Sequence, residues 1–344
     1  MMNAIVLDSA GPDPIARLRV ARIPIPTPGR GQVLVRIEVA PCNPADVMYL
    51  EGRYGVDRPL PATPGFEGAG TVVASGGGLL ARWLVGKRVA VGGHRCSGTW
   101  AEYCVADATA CMPLAAGLTF EQGAAALANP TTALSLVEVV RKGKHRAYVQ
   151  TAAAGQLGRM IMTAARDAGL EGIHVVRREE QARALRALGA EHVLVSSDPD
   201  FDRELAALAA KLGATVALDA VAGDMTGRLL AALPDGSEVI VYGALAGASC
   251  AAIDPIKSLA FGHKRVRGFE IEGYARERGL LRSFLLARKA QKLVQRGTFA
   301  TEVAATVPLA AAPAQLAAYL ARMSDGKILL APSRTIEECV PQAA

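Results

Sequence analysis

Two textures of hydrophobic patterning divide the chain. Val33, Val35, Ile37 and Val39 alternate with Leu34, Arg36 and Glu38, the two-residue period of a half-buried strand. Pro24, Pro26, Pro28 and Gly29 ahead of it forbid a helix and force an extended, turning approach. Gly65, Gly68 and Gly70 bracket a strand that runs into Thr71-Val72-Val73, and 87–91 is a further strand between glycines. The first third therefore predicts irregular, barrel-like β structure. Near Ala124 the texture changes. Short apolar strands at 148–151, 173–176, 192–195, 215–218, 238–241 and 265–269 alternate with helices, among them 157–168, 179–188 and 201–212. Such alternation predicts an α/β fold with a six-stranded parallel sheet, doubly wound by right-handed crossovers. After about Gly273 it stops. A helix at 280–295, the segment 306–308, another helix and a last strand at 327–330 are expected to rejoin the N-terminal β domain.

Composition narrows the function classes. The 344 residues, 51% hydrophobic, suffice for about two domains. The net charge of +6 is scattered, without a basic stripe, so it reads as solvated surface plus an anionic cofactor site rather than a nucleic-acid interface. Cys42, Cys96, Cys104, Cys111, Cys250 and Cys339 follow no CxxC pattern and are expected to be reduced. Residues 1–14 meet Asp8 and Gly11 early and read as a strand and turn rather than a leader. No stretch reaches the roughly 18 uninterrupted apolar residues that span a bilayer. The expectation is a cytoplasmic protein with neither a membrane nor a nucleic-acid partner.

The most informative local signal is Ala152-Ala153-Ala154-Gly155-Gln156-Leu157-Gly158, between the first strand of the alternation and its helix. Small residues let the backbone approach a pyrophosphate, and a helix N-terminus offers N–H groups and a positive dipole end. Ala154, Gly155, Gln156, Leu157 and Gly158 are thus candidate cofactor-binding residues, in a fingerprint whose first glycine is replaced by Ala152. An acid at the end of the second strand would bind an unphosphorylated ribose. Arg177 and Arg178 stand there instead. Their guanidiniums suit a 2′-phosphate and favour NADPH over NADH. The competing reading is a basic start to a solvated helix, since Glu179 and Glu180 follow at once.

The chain resembles the medium-chain dehydrogenase/reductase superfamily, in its zinc-independent quinone oxidoreductase and 2-enoyl thioester reductase branch. The resemblance rests on 31–36, Cys42-Asn43-Pro44-Ala45-Asp46, 51–55, Pro64-Gly65-Phe66-Glu67-Gly68-Ala69-Gly70, Asn129-Pro130-Thr131-Thr132-Ala133, the phosphate cradle, 188–192, Val241-Tyr242-Gly243 and Gly326-Lys327-Ile328. It implies a GroES-like catalytic domain from 1–125 and 275–344, with a Rossmann NADPH-binding domain, 126–274, inserted between. It also implies a small-molecule substrate (enoyl thioester, enone or quinone) and a homodimer that pairs across the sixth strand.

Zinc-dependent relatives carry metal ligands at the two N-terminal motifs, where this chain has Asn43 and Phe66. Phe cannot ligate, and a catalytic zinc needs three protein ligands. The His94 and Cys96 pair is a poor half-site, better read as a loop histidine and a small apolar cysteine, so no metal is expected. Without one, the resemblance makes Tyr54 the donor to charge developing on the substrate; the alternative is a packing residue. Asn43 would orient substrate or Tyr54, or only shape a turn. Asn129 and Thr132 would face the nicotinamide, although Asn-Pro-Thr-Thr also fits a plain helix N-cap. Lys327 would reach the cofactor or be a solvated turn lysine, and Tyr242 and Gly243 would lie at the nucleotide edge of the sheet. Where 2-enoyl thioester reductases often carry tryptophans in the sixth-strand segment, this chain has Phe269, Glu270 and Glu272. That speaks against a long-chain acyl thioester and keeps quinones and small enones open. The non-enzyme alternative is an NADPH-binding structural or RNA-associating protein.

Overall fold

The alternation at 33–39 becomes strand Gln32–Pro41, with Val33, Val35, Ile37 and Val39 all buried. In the computed structural model every residue is described except 57, 248, 322, 324, 325 and 335–344. Two compact units form, one from Met1–Pro130 with Leu280–Ala344, the other from Thr131–Gly279.

In the first unit, Gln32–Pro41 is the strand on which the others assemble. It pairs antiparallel with Glu67–Ser75, Tyr103–Asp107 and the returning Lys327–Leu330. Glu67–Ser75 continues to Arg88–Gly92 and then Cys111–Pro113, while Val303–Val307 adds parallel to Lys327–Leu330. A hairpin of Met2–Leu7 and Leu18–Ile23 stands as a separate sheet. The core gathers Ile5, Val35, Ile37, Leu84, Trp100 and Leu330. Burying such side chains contributes roughly 1.5–3 kcal/mol each. The tail therefore does rejoin the N-terminal β structure.

The second unit carries the six-stranded parallel sheet, in the spatial order His192–Val195, Glu171–Val176, Ala147–Gln150, Ala214–Asp219, Glu238–Val241 and Arg265–Gly268. Its inner strands are apolar on both faces because helices cover them, and Val149, Ile173, Ala217 and Val239 are fully buried. Helix Gln156–Asp167 buries Met160, Ile161, Ala164 and Ala165 along one stripe.

One expectation changes. The sixth strand ends at Gly268, so Glu270 and Glu272 are not strand residues. The Glu270 carboxylate accepts the backbone N–H of Glu272 and Gly273, starting a helix at Ile271–Arg278. Negative charge at a helix start is stabilising, so Glu270 caps this helix and Glu272 lies in its first turn. No disulfide joins Cys42, Cys96, Cys104, Cys111 or Cys250, and Cys339 lies outside the described residues. Among the described residues no helix is long and apolar enough to cross a membrane.

Candidate active site

In the first unit, polar groups converge where strand Gln32–Pro41 gives way to helix Pro44–Leu50. Asn43 precedes Pro44, whose fixed φ suits the first helical position. Asp46, one turn in, reaches back: its carboxylate accepts the N–H of Asn43 at 2.7 Å and that of Phe66 at 3.0 Å. The Asn43 amide is used at both ends. Its Oδ1 accepts from the Lys327 ammonium, and its Nδ2 donates to Glu67 Oε2 at 3.1 Å. Glu67 Oε1 accepts the N–H of Leu127 and of Ala128, at 3.0 and 2.8 Å. Glu67 therefore caps helix Ala128–Lys142 from a distant strand. Asn129 lies inside that first turn, so the N-cap reading of Asn-Pro-Thr-Thr gives way to a carboxylate from elsewhere.

This cluster is dry. Asn43, Asp46, Glu67 and Lys327 are all at most 6% exposed. Burial pushes the Asp46 carboxyl up to about 7, against its two backbone hydrogen bonds and the Lys327 charge. Burial likewise raises Glu67 and lowers Lys327, while Lys327 and Glu67 each favour the other's charged form. Lys327 is accordingly no solvated turn lysine.

Tyr54 sits beside this cluster on aromatic packing. Its ring is 5.1 Å from that of Phe66, which meets Tyr49 edge-on at 5.3 Å, and the Arg58 guanidinium lies 4.5 Å from the Phe66 centroid. The Tyr54 hydroxyl lies 3.1 Å from His94 Nε2, with the two rings edge to face. Phe66 thus serves as a packing surface for Tyr49, Tyr54 and Arg58. Among the described residues no three His, Cys, Asp or Glu side chains come together as a metal-ligand set.

In the second unit, the chain leaves strand Ala147–Gln150 through Ala152, held at φ +50°, and enters helix Gln156–Asp167 at Gly155. The Ala153 N–H is fixed to Val175 O at 3.1 Å. A Cβ on Gly158 would stand 2.5 Å from Ala153 O, so that glycine is required for helix and strand to meet. The first turn of the helix leaves N–H groups without intrahelical partners, the donor set a pyrophosphate needs. Beneath it, Gln150 Nε2 donates to Gly158 O at 3.1 Å and lies 2.8 Å from His174 Nδ1. Burial, aided by the charge of His192, lowers His174 to about 4 and so keeps it neutral under the cradle.

Arg177 and Arg178 are exposed at the end of the next strand, and their N–H groups are held by Gln181 Oε1. Glu179 sends its carboxylate to Arg186 at 2.7 Å, so it does not neutralise the pair. Asp219 ends the fourth strand of the sequence order and accepts from Thr151 Oγ1, Thr226 Oγ1 and the N–H of Val221 and Ala222. The Tyr242 N–H donates to Asp219 O at 2.9 Å, and burial raises the phenol's pKa. Gly243 has no room for a side chain, because its Cβ would meet Ala220 O at 2.8 Å. The donor set therefore fits a phosphorylated dinucleotide.

Residues 29–116 match the alcohol dehydrogenase GroES-like domain, and residues 157–285 match the zinc-binding dehydrogenase family. A Mesorhizobium loti protein assigned to the NADPH:quinone reductases is 35% identical, with a TM-score of 0.89 over 96% of this chain and 98% of that one. The chain belongs to the medium-chain dehydrogenase/reductase superfamily. It is also 27% identical, over 83% of each chain, to the mitochondrial enoyl-[acyl-carrier-protein] reductase of Caenorhabditis elegans. A mycobacterial protein solved in complex with NADPH is 26% identical, with a TM-score of 0.81 over 96% of this chain and 100% of that one.

Within this superfamily fold the first unit is the GroES-like part and the second the Rossmann part. The structure brings Asn43 and Lys327 into one cluster and leaves Tyr54 on a separate aromatic shelf. It places Asn129 and Thr132, both half-buried, in the first two turns of helix Ala128–Lys142. Sequence reasoning missed Asp46, Glu67, Asp219 and His94. Asp46 had a readable signal, an acid three residues after a helix-capping Asn. His94 had none, because its partner lies 40 residues away.

Proposed function

We propose that this protein is an NADPH-dependent, zinc-independent oxidoreductase that delivers hydride to a conjugated, carbonyl-activated double bond, with Tyr54 as the proton donor. NADPH, when bound, supplies the hydride. Gly155 and the following N–H groups hold its pyrophosphate, and Arg177 and Arg178 its 2′-phosphate. Its relatives, named as enoyl reductases and quinone reductases, support that reading.

The observation that carries the chemistry is the Tyr54 hydroxyl, half-buried on Phe66 and tied to His94 at 3.1 Å. When the β-carbon of an enone is reduced, negative charge builds on the carbonyl oxygen and α-carbon. A neutral phenol donates a hydrogen bond to that charge and then gives up its proton. Phe66 packs against the Tyr54 ring and is itself packed by Tyr49 and by the Arg58 guanidinium. Asn43, Asp46, Glu67 and Lys327 fix the strand ends that carry the shelf. With Phe66 offering no donor and Asn43 already bonded at both ends, the motif positions hold no zinc. A cytoplasmic homodimer, pairing through the edge strand Arg265–Gly268, belongs to the same reading.

The acceptor is tested by following NADPH oxidation with a short trans-2-enoyl-CoA and with a 1,4-quinone. Faster turnover of the enoyl thioester is expected. Tyr54→Phe should then lose about two orders of magnitude in kcat with little change in KM for NADPH. Preference for the quinone, with Tyr54→Phe turning over normally, would make this a quinone reductase and Tyr54 a packing residue.

A further inference from the structure

We propose that His94 is the positioning residue for Tyr54 and resupplies its proton, so that the two rings form a relay from solvent to substrate. This rests on Tyr54 being the donor. The relay is drawn by geometry. Tyr54 is held by Phe66 on its face and by His94 at its hydroxyl, 3.1 Å from Nε2. His94 in turn packs edge-on against Phe66, at 5.7 Å between centroids. The same imidazole lines an open cleft of about 460 Å³ together with Arg58, Pro61, Thr63, Cys96 and Ser97. One ring therefore touches both the phenol and the open cleft.

The phenol alone has a difficulty that this arrangement removes. Each turnover transfers the Tyr54 O–H proton to the substrate α-carbon, forming a C–H bond and leaving a phenolate on a half-buried shelf. An N–H from His94 Nε2 donates to that oxygen as charge appears, and its proton then passes across. The imidazolium becomes neutral imidazole, the phenol is restored, and water in the cleft returns a proton to the ring. No oxidant or metal is consumed. With Nε2–H donating to the Tyr54 oxygen, the phenol's own proton is also turned away from His94 and toward an incoming acceptor.

The charged and titratable groups around His94 are Tyr54 across the hydrogen bond, Arg58 and Cys96 along the cleft, and Arg95, which pairs with Asp107 at 3.7 Å.

The test compares His94→Ala and His94→Gln, each alone and combined with Tyr54→Phe, on the acceptor that the wild-type enzyme reduces fastest. His94→Ala should lower kcat about ten- to hundredfold, with KM for NADPH within about twofold. Added imidazole should restore much of that loss. His94→Gln, which keeps a donor but carries no mobile proton, should stay slow and show no imidazole rescue. In the Tyr54→Phe background, His94→Ala should cost nothing further. An unchanged kcat in His94→Ala, or an equal loss in both backgrounds, would overturn the relay. Near-normal turnover of Tyr54→Phe would instead remove the donor reading itself, and that outcome is separate because it needs no His94 variant.

Discussion

The two candidate regions bind charge by opposite means. In the Rossmann unit, charge is to be met by backbone N–H groups at a helix start and by the exposed side chains of Arg177 and Arg178. In the GroES-like unit, two carboxylates and an ammonium are already buried; the Asn43 side-chain amide bridges Glu67 and Lys327, and Asp46 accepts the Asn43 backbone N–H. The first arrangement is inexpensive to keep open, because main-chain dipoles need no desolvated ion. The second holds charges that water would otherwise solvate, so it is tolerated only while every partner is present. The lesson is that the cradle is built to receive a ligand, whereas the buried cluster is built to hold the fold around the Tyr54 shelf.

The contrast breaks most visibly at Glu67. Glu67→Ala removes acceptors for three N–H groups and leaves Lys327 without its nearest carboxylate partner through Asn43. A loss of about 3–5 kcal/mol in unfolding free energy is expected, read by urea denaturation. The double variant Glu67→Ala with Lys327→Met should cost less than the two singles together, because the second change removes the stranded cation. Additive losses would mean that the cluster acts as independent hydrogen bonds rather than as one charge-balanced unit.

A smaller effect is expected on the solvated side, and it falls on binding rather than on stability. Arg177→Ala with Arg178→Ala removes two solvent-exposed charge-assisted contacts to a 2′-phosphate, together worth about 1.4–2.8 kcal/mol after screening. KM for NADPH should rise about ten- to a hundredfold, while KM for NADH and the unfolding midpoint stay nearly unchanged. Equal losses for both nucleotides would leave the arginines as ordinary helix-start residues. A large drop in stability would mean that this edge is as structural as the Glu67 cluster.

The same contrast explains what was legible in the sequence. The cradle was readable because its parts are contiguous: seven residues between a strand and a helix carry the whole signal, and Arg177 and Arg178 follow at a fixed interval. Periodicity likewise exposed the six strands, since a parallel sheet buried on both faces leaves uninterrupted apolar runs. The buried cluster joins residues 43, 46, 67, 127, 128 and 327, and apart from the capping pair 43 and 46 no local pattern links its distant members. Asn43 and Lys327 were singled out only through a resemblance, which pointed them toward ligands rather than toward each other. Glu270 was placed just past the expected strand 265–269, and its role as a helix cap shows only once the turn that follows is seen. His94, read from the sequence only as a loop histidine beside Cys96, gained its partner when the fold set it against Tyr54.

The finest test lies inside the cradle, at the one position that departs from the fingerprint. Ala152 adopts φ +50°, a left-handed conformation that costs an L-residue roughly 1–2 kcal/mol and costs glycine almost nothing. Ala152→Gly should relieve that strain, and part of the gain is returned because glycine loses more chain entropy on folding. A net stabilisation of about 0.5–1 kcal/mol is expected, seen as a higher urea midpoint, with KM for NADPH within about twofold of the parent. The half-buried methyl of Ala152 sets the opposing term. If the glycine variant is instead less stable, that methyl's packing outweighs the backbone strain, and the cradle shares the side-chain dependence of the buried cluster at this one residue.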